Sequence, residues 1–376
     1  MKIAIIRKKY VFHGGSEGFS QELIAQLAGQ GNEVHVFALQ WESTHVPANV
    51  TFHKVPAISF NSFLRDLSFA LSSYRLLKKE PFDIIQSHDK TLFQHIYRSG
   101  DGCHIEWLQQ RWKRTGLLGK ISIALNPYHW LILSLERMIL KGHRFKKVIA
   151  ISHLVKKNII EHYGVQENDI EVIYNGVDLS KFQPSNRELY RREIRLSHSL
   201  PEDAFVLLFV GSGFERKGLE FLIRAMELVP YPLTALIVGR GSETKYRQFI
   251  KRQKVIFCGP QREIQKYYAA SDIFAFPAIY EPFGNVHLEA LASGLPVITT
   301  GLSGAAEIIQ EGVHGFVVPL PEDYARIAEK IQYLMDNRKV YEAMCINARQ
   351  RAEEFSFRKH LNETLHLYQK ILGQVD

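Results

Sequence analysis

The sequence predicts an α/β protein of two Rossmann-like domains, each with a parallel sheet covered by helices. Short apolar runs with the length of buried strands alternate with segments whose apolar residues recur at helical spacing. This alternation begins at residue 3 and starts again near residue 205, after a polar stretch at 175–195. A chain of 376 residues is also long for one hydrophobic core and fits two domains of ordinary size.

The first half opens with a strand–helix–strand pattern. Residues 3–6 form an apolar run, apolar residues over 20–30 recur at helical spacing, and a second strand is predicted over 33–39. This pattern is the repeating unit of a parallel sheet. Two further strands of this half are predicted over 81–87 and 147–152.

The second half repeats the pattern with more strands. A strand over 205–210 is followed by a loop at 211–218 and a helix over 219–229. The other predicted elements are strands at 233–238, 255–258, 273–276, 297–300 and 315–318, and helices at 261–270 and 285–292.

We place the domain boundary in the polar stretch, which holds proline, serine, asparagine and many charges. The prediction is an amino-terminal domain of residues 1–183, completed by a last helix over 358–376, and a carboxyl-terminal domain of residues 184–357.

Composition and cysteine spacing exclude several protein classes. Hydrophobic residues at 46% and charged residues at 23% are typical of a folded globular chain. Cys103, Cys258 and Cys345 lie far apart, so neither a disulfide framework nor a zinc site is predicted. The first ten residues lack the apolar length of a secretory signal, and no stretch reaches the roughly 18–20 apolar residues of a membrane span. We therefore expect a cytoplasmic protein.

The net charge of +8 favours an anionic partner, and the basic excess is uneven. Between residues 98 and 147, ten lysines and arginines stand against three acidic residues, with Trp107, Trp112 and Trp130 among them. A basic amphipathic surface of this kind can lie on an anionic membrane. The alternative is an ordinary helical region whose aromatic residues pack on the core. No recognised nucleic-acid-binding motif accompanies these charges, so nucleic acid is not a predicted partner.

Two loops of the second half are candidate ligand sites. Glu281-Pro282-Phe283-Gly284 lies between a strand and a helix, where backbone N–H groups can bind an anion and a carboxylate can accept sugar hydroxyls. The simpler alternative is a carboxylate placed near a helix amino terminus for electrostatic reasons. Arg216 and Lys217 follow a flexible turn after another strand and suit a diphosphate, the alternative being a solvated basic pair.

Taken together, these motifs resemble the retaining glycosyltransferases of family 4, whose fold is called GT-B. The resemblance covers most of the chain. It depends on Glu281 with Glu289 eight residues later, the Ala290–Val297 segment, Gly304-Ala305-Ala306-Glu307, Gly312 and Gly315, the 211–218 loop, Ile173–Asp178, and Gly14-Gly15.

The resemblance implies roles for individual residues. Glu281 would bind hydroxyls of the donor sugar and Glu289 the ribose hydroxyls, while Arg216 and Lys217 would stabilise the departing diphosphate. Many family members have a histidine that contacts the donor sugar where this chain has Asp101. Asp101 can accept from a sugar hydroxyl in its place, or it can be a turn residue, and His88 is expected to be structural or to face the acceptor. The remaining donor-binding positions are Gly15, Gly211 and the backbone of Phe283, Gly284, Asn285 and Val286.

The resemblance also implies the reaction. The chain would move a hexose from a UDP-sugar, or a GDP-sugar, to a glycan or lipid-linked acceptor in lipopolysaccharide or other envelope polysaccharide synthesis. The two domains would face each other, with the acceptor on the amino-terminal domain and the nucleotide sugar on the carboxyl-terminal domain. The resemblance implies no metal or other cofactor, and it places the reaction at the inner face of the plasma membrane. The alternative that stays open is a catalytically silent partner subunit that binds nucleotide sugars or glycans.

Overall fold

The computed structural model describes residues 1–10, 15–41 and 47–374, which form two compact units. Unit 1 is Met1–Asn175 with His360–Asp376, and unit 2 is Gly176–Lys359. Each unit has its own parallel sheet with helices in the connections, so the predicted α/β class is confirmed.

Unit 1 contains nine strands and seven helices within its described residues. In chain order its elements are β1 (Lys2–Ile6), β2 (Lys9–Tyr10), α1 (Gly15–Gly29), β3 (Glu33–Ala38), β4 (Gln40–Trp41), β5 (Val50–Lys54), α2 (Ser62–Leu77), β6 (Ile84–Ser87), β7 (Ile96–Ser99), α3 (His104–Lys113), α4 (Leu117–Leu125), α5 (Pro127–Leu140), β8 (Lys147–Ala150), α6 (His153–Tyr163) and β9 (Ile170–Val172), with a last helix named below.

Unit 2, counted over its described residues, contains six strands and seven α-helices. They are α7 (Asn186–Ser197), β10 (Val206–Val210), α8 (Leu219–Leu228), β11 (Thr234–Val238), α9 (Thr244–Arg247), β12 (Lys254–Gly259), α10 (Ile264–Ala270), β13 (Ile273–Phe276), α11 (Asn285–Ala292), β14 (Val297–Thr300), β15 (Gly315–Val318), α12 (Tyr324–Asp336) and α13 (Arg338–Glu353). The chain ends with α14 (Phe357–Ile371), most of which belongs to unit 1.

The main sheets of the two units share one topology, while β2 and β4 form a separate two-stranded sheet. The strand order is β5-β3-β1-β6-β7-β8-β9 in unit 1 and β12-β11-β10-β13-β14-β15 in unit 2, with parallel pairing throughout. The chain therefore reverses its direction of progress across the sheet between β1 and β6, and again between β10 and β13. Ligands bind at such switch points, outside the carboxyl ends of the strands.

Both sheets are covered on their two faces, which explains their unbroken apolar strands. Residues Ile3–Ile6 and Val206–Phe209 are fully buried. Parallel sheets need this composition because helices pack on both sides. In unit 1 the core beneath β1 includes Phe37, Phe69 and Ile85.

Most of the polar stretch at 175–195, in which we place the domain boundary, is folded as part of unit 2. The first boundary between units falls at 175/176, and residues 177–182 pack on unit 2. Arg349 Nη1 donates to Leu179 O at 3.3 Å and to Phe182 O at 2.9 Å, and Val177 N donates to Phe355 O at 3.0 Å. The rest of the polar stretch forms most of α7. The predicted limits at 183/184 and 357/358 lie eight residues after the boundary at 175/176 and two residues before the boundary at 359/360.

Helix α7 is attached to unit 2 by charge. Arg187, Arg191 and Arg195 recur every four residues and so lie on one face of the helix. All three form ion pairs with Asp272 in the turn before β13, at 3.7, 2.7 and 2.9 Å respectively. A polar sequence therefore forms a packed helix here because its arginines pair with a buried carboxylate, Asp272.

Candidate active site

The topology of unit 2 brings three of the predicted side chains together. β10 pairs with β11 on one side and with β13 on the other, so the loops after β10 and β13 leave the sheet at its switch point. The first loop carries Arg216 and Lys217, and the second carries Glu281. These side chains are in contact there.

Glu281 is a buried carboxylate between two cations. Only 7% of the residue is exposed. Its Oε2 atom forms an ion pair with Lys217 Nζ and lies 3.6 Å from Arg216 Nη2. Burial by itself raises the pKa of this carboxyl, but the charges of Lys217 and then Arg216 outweigh burial, and the pKa is lowered overall. Glu281 is therefore ionised at neutral pH, with Oε2 engaged by both cations.

The backbone around Glu281 is clamped by the loop after β14. Glu281 N donates to Leu302 O at 3.0 Å, and Gly304 N donates to Glu281 O at 2.8 Å. Two residues on, Ser303 Oγ donates to Phe283 O at 3.2 Å, and the Phe283 side chain is fully buried. Phe283 thus anchors the loop, and its predicted contact with a donor can involve only its backbone.

Gly284 turns the chain into α11 with φ +84° and acts as the helix N-cap residue. Its carbonyl oxygen accepts from His287 Nδ1 at 2.8 Å, and His287 Nε2 lies 2.9 Å from Thr299 Oγ1. Burial lowers the pKa of His287 to about 4, so its ring is neutral at pH 7. Because a carbonyl can only accept, Nδ1 carries the proton and Nε2 is left as an acceptor. The single hydroxyl proton of Thr299 is shared between this nitrogen and Phe276 O, which lies 3.1 Å from Thr299 Oγ1. The predicted backbone positions Asn285 and Val286 form the first turn that this ring supports.

Glu289 accepts a hydrogen bond from a buried tyrosine. Tyr268, on α10, donates its hydroxyl to Glu289 Oε2 at 2.8 Å and also lies 3.2 Å from Val286 O. Burial raises the pKa of Glu289, and the Tyr268 hydrogen bond offsets part of this rise. The predicted ribose-binding carboxylate therefore has one oxygen fixed by the protein.

Neither His287 nor Tyr268 was among the predicted site residues. His287 follows Gly284 by three residues and precedes Glu289 by two, and its place in the first turn of a helix is the only sequence signal for it. Tyr268 has none, since it lies 21 residues from Glu289 and meets it only through packing of α10 beside α11.

Small residues let the two loops meet. A Cβ atom on Gly211 would lie 3.3 Å from Lys217 Cγ and 3.4 Å from Phe276 Cε2. Gly218 has φ +76°, and a Cβ there would collide with Pro277 O. Lys217 Nζ in turn lies 5.2 Å from the centre of the Phe276 ring. The predicted Gly211 therefore makes room for the lysine side chain.

Unit 1 carries the remaining predicted residues. Gly15 is the first residue of α1, whereas Gly14 lies outside the described residues. Asp101 is exposed in the turn between β7 and α3. By topology the carboxyl end of β7 and the amino terminus of α1 lie at the same edge of the sheet, which is the edge where its ligands are expected.

His88 is part of a buried hydrogen-bond network. Tyr368 on α14 donates to Gln86 Oε1 at 2.9 Å, which orients the amide so that Gln86 Nε2 donates to His88 Nε2 at 2.7 Å. His88 Nδ1 then donates to Ser20 Oγ at 3.2 Å. Burial, followed by the charge of Arg98, holds the pKa of His88 well below its usual value. His88 therefore joins α14 to β6 as a neutral ring.

The basic stretch at 98–147 separates into a buried and an exposed part. Arg98 and Phe145 are buried, while Trp112 and Trp130 are exposed. Helix α4 is the most apolar exposed element, with Leu117 74% and Leu118 84% exposed. Among the described residues no helix is both long and apolar enough to cross a membrane. Over the same ranges no group of three or more His, Cys, Asp or Glu side chains is placed to hold a metal ion.

Two family models match the chain. Glycosyltransferase Family 4 matches residues 13–181, and Glycosyl transferases group 1 matches residues 190–351. The lipopolysaccharide glucosyltransferase WaaG of Escherichia coli is 25% identical over 365 residues, which are 94% of each chain. An uncharacterized glycosyltransferase of Methanocaldococcus jannaschii is 27% identical over 397 residues, covering 98% of each chain.

Solved structures show the same fold. A crystal structure of WaaG, a glycosyltransferase involved in lipopolysaccharide biosynthesis, superposes with a TM-score of 0.82 at 23% identity and covers 97% of this chain and 99% of its own. Anabaena HepE in complex with UDP and glucose has a TM-score of 0.74 at 19% identity, covering 98% and 100%.

Proposed function

Since this chain is a glycosyltransferase, with a Family 4 region followed by a group 1 region, we propose that it transfers a hexose from a nucleoside-diphosphate sugar to a glycan or lipid-linked acceptor with retention of anomeric configuration. UDP is the proposed nucleotide, because a protein of the same fold binds UDP and glucose. Lipopolysaccharide or another envelope polysaccharide is the proposed product, because WaaG is similar along nearly the whole chain.

The observation that carries this proposal is an ion-paired group at the switch point of unit 2, in which the buried Glu281 meets the partly exposed Lys217 and Arg216. Two cations and one carboxylate leave one net positive charge in a partly buried site, next to the amino terminus of α11. A diphosphate is the ligand that such a site favours, because cations and helix N–H groups both bind phosphate oxygens.

Each carboxylate has one oxygen engaged by the protein and a second oxygen available for substrate. Lys217 and Arg216 both meet Glu281 at Oε2, and we assign the hydroxyls of the donor sugar to Oε1. Tyr268 likewise meets Glu289 at Oε2, and we assign the ribose hydroxyls to its Oε1. An ionised carboxylate is an acceptor only and so suits hydroxyl groups.

The proposed reaction is a front-face substitution. The bond between the anomeric carbon and the β-phosphate oxygen breaks while the acceptor oxygen bonds to the same face of that carbon. The acceptor proton passes to the departing phosphate oxygen. Lys217 and Arg216 stabilise the charge that develops on this leaving group, which is the electrostatic role a metal ion has in other transferases. We propose that no metal is needed.

We assign the acceptor to unit 1. Asp101 is exposed at the carboxyl edge of its sheet and can accept a sugar hydroxyl, and Gly15, the predicted donor-binding position of this unit, begins α1 at the same edge. The exposed tryptophans and leucines of α3, α4 and α5, together with their lysines and arginines, are proposed to rest on the anionic inner face of the plasma membrane. A lipid-linked acceptor would make this placement useful.

A panel of nucleotide sugars tests the donor assignment. We expect one UDP-hexose to raise the melting temperature above that of the free chain, since a ligand at a hundred times its Kd stabilises a fold by about 2.7 kcal/mol. The same donor, labelled in its sugar, should be consumed in the presence of EDTA, and NMR of the glycoside should show the donor's anomeric configuration. Binding without any turnover, with acceptor extracts present, would instead identify a silent subunit.

Removing the Tyr268 hydroxyl should weaken donor use in a pH-dependent way. Tyr268→Phe deletes a hydrogen bond that lowers the pKa of Glu289, so that pKa rises further above its ordinary value. Because the proposed role needs an ionised Glu289, the acid limb of kcat/KM should move to higher pH, and KM for the donor at pH 7 should rise about tenfold.

The neighbouring Tyr267→Phe is the matched control for this change. Tyr267 lies on the same helix, and its ring contacts His198 at 5.9 Å between centroids. Its pH profile should follow the wild type. An unshifted acid limb in Tyr268→Phe would remove Glu289 from donor binding.

A further inference from the structure

The segment ahead of α2 exposes two large apolar side chains. Phe60 is 89% exposed and Ile58 is 57% exposed. Hydrogen bonds hold the segment in place: Ile58 N donates to Ser68 Oγ at 2.9 Å, and Leu64 N donates to Asn61 Oδ1 at 2.8 Å. A fixed backbone therefore presents these side chains to solvent.

Phe60 lacks the intrahelical partner that its position would ordinarily have. An apolar residue just before a helix N-cap commonly packs on the fourth residue of the helix. In α2 the N-cap residue is Asn61 and the fourth residue is Arg65, whose Nε donates to Asp66 Oδ1 at 2.9 Å. The Phe60 ring consequently stays in water, where it costs free energy until something apolar covers it.

The topology places this segment beside the amino terminus of α5. In a parallel sheet each connection leaves the carboxyl end of one strand, and α2 follows β5 as α3, α4 and α5 follow β7. Tyr128, at the start of α5, donates its hydroxyl to Asp66 Oδ2 at 3.2 Å, and Phe63 and Leu67 pack in one cluster with Leu131. The exposed ends of α2 and α5 thus lie at the carboxyl edge of the sheet.

A larger apolar group lies at that end of α5. Trp130 Nε1 donates to Ala124 O at 2.8 Å, which ties the end of α4 to the start of α5. The exposed apolar residues of this group are Leu117, Leu118, Ile121, Leu125 and Trp130. The cations that accompany them on α3, α4 and the connection between them are Arg111, Lys113, Arg114 and Lys120. Apolar side chains interspersed with cations match an anionic bilayer surface.

We propose that Ile58 and Phe60 form a second bilayer contact, which acts together with α4 and Trp130 to hold the carboxyl edge of the unit 1 sheet against an anionic lipid surface. This rests on the proposed membrane role of α3, α4 and α5. Two contacts that are far apart in the chain fix an orientation, which a single amphipathic helix does not. The edge that carries Asp101 then faces the headgroups, where the sugar of a lipid-linked acceptor lies.

Vesicle binding by the full chain tests this contact. Vesicles of phosphatidylglycerol and phosphatidylcholine are compared with phosphatidylcholine alone. The variant with Ile58→Ser and Phe60→Ser should partition onto the anionic vesicles roughly a hundredfold less than the wild type, because each of the two large apolar side chains that no longer inserts accounts for about a tenfold loss. Leu196→Ser, which removes a 66% exposed leucine from unit 2, should bind as the wild type does.

A spectroscopic arm reports insertion at the position itself. Phe60→Trp should show additional quenching by brominated phosphatidylglycerol beyond that of the native tryptophans, and its melting temperature should match the wild type. Wild-type partitioning of the double variant, or no additional quenching in Phe60→Trp, would overturn the second contact.

Two comparisons separate this inference from the proposed function. If the wild type itself does not bind anionic vesicles, the second contact and the membrane role of α3, α4 and α5 both fall. The double variant should keep its turnover of labelled donor in detergent-free solution, because positions 58 and 60 belong to unit 1 whereas Glu281 belongs to unit 2. A wild type that binds vesicles yet never transfers sugar would overturn the proposed reaction and leave the lipid contact standing.

Discussion

Replacing Glu281 with Gln is expected to lower kcat/KM for sugar transfer by on the order of a hundredfold or more, the loss of one or two hydrogen bonds to a charged group. The amide keeps the shape of the carboxyl but removes its charge, so Lys217 and Arg216 lose the partner that holds them at the switch point. Calorimetry should show that Kd for the UDP-sugar rises more than Kd for UDP, because only the UDP-sugar makes the proposed contact with Glu281.

The stability of this variant should depend on pH in a defined direction. In the wild type the pKa of Glu281 is lowered from its ordinary value of 4.5, so its ion pairs stabilise the fold above that pH and lose their effect as the pH falls through the lowered value. The variant lacks this contribution. The wild type and Glu281→Gln should differ in free energy of unfolding by less than the roughly 3 kcal/mol lost when a fully buried ion pair is broken, since a third of the Arg216 side chain is exposed. This difference should become smaller below pH 4.5, where Glu281 becomes protonated in the wild type.

Glu329→Gln is the matched control for this change. That carboxylate lies on α12 of the same unit with its side chain 70% exposed. It should leave both transfer and unfolding unaltered. A Glu281→Gln enzyme with full transfer activity would remove Glu281 from the site.

The parts of the fold that the sequence predicts well are those with strong local signals. Helix α11 was predicted over 285–292, as observed, because Gly284 marks its start and the strand before it is wholly apolar. The same holds for β10, where five apolar residues follow a charged turn. In both cases the apolar pattern and the neighbouring turn residues indicate the same element.

Helix α7 shows where a sequence prediction of this kind ends. Its composition is mostly polar, which made it resemble a linker, yet it packs on unit 2 through three arginines around Asp272. The four-residue spacing of those arginines was visible in the sequence. Their common partner was not, because it lies 77 residues beyond Arg195 and only the folded sheet brings it near.

The candidate site divides in the same way. Glu281 and Glu289 could be proposed from the sequence because they lie in a recognisable motif. Arg216 and Lys217 could be proposed because they follow a predicted strand and a flexible turn. The residues that orient these groups could not be predicted, since Tyr268 and Thr299 act through hydrogen bonds to residues of other elements. Their role depends on geometry at the level of one hydrogen bond, which composition and periodicity do not encode.

Gly284→Ala should damage both the fold and the reaction. The residue has φ +84°, a conformation that costs an L-residue roughly 1–2 kcal/mol. Its new Cβ would lie 2.8 Å from His287 Nδ1 and 3.0 Å from Glu281 Cγ. Neither neighbour can withdraw freely, because His287 is fully buried between Gly284 O and Thr299 while Glu281 is fixed by two cations. Overpacking of this kind adds about 1–3 kcal/mol.

Gly312→Ala separates the cost of the positive φ from the cost of the steric collision. Gly312 belongs to the same unit and has φ +76°, but a Cβ there would meet no atom within 4 Å. It should lose only the conformational part of the stability and keep full transfer activity. Gly284→Ala should melt at a lower temperature than Gly312→Ala and lose transfer, because the collision pushes the Glu281 carboxyl and the first turn of α11 apart. Equal melting temperatures for the two variants would mean that the loop yields to the extra methyl group, and the fixed geometry inferred for Glu281 would then be wrong.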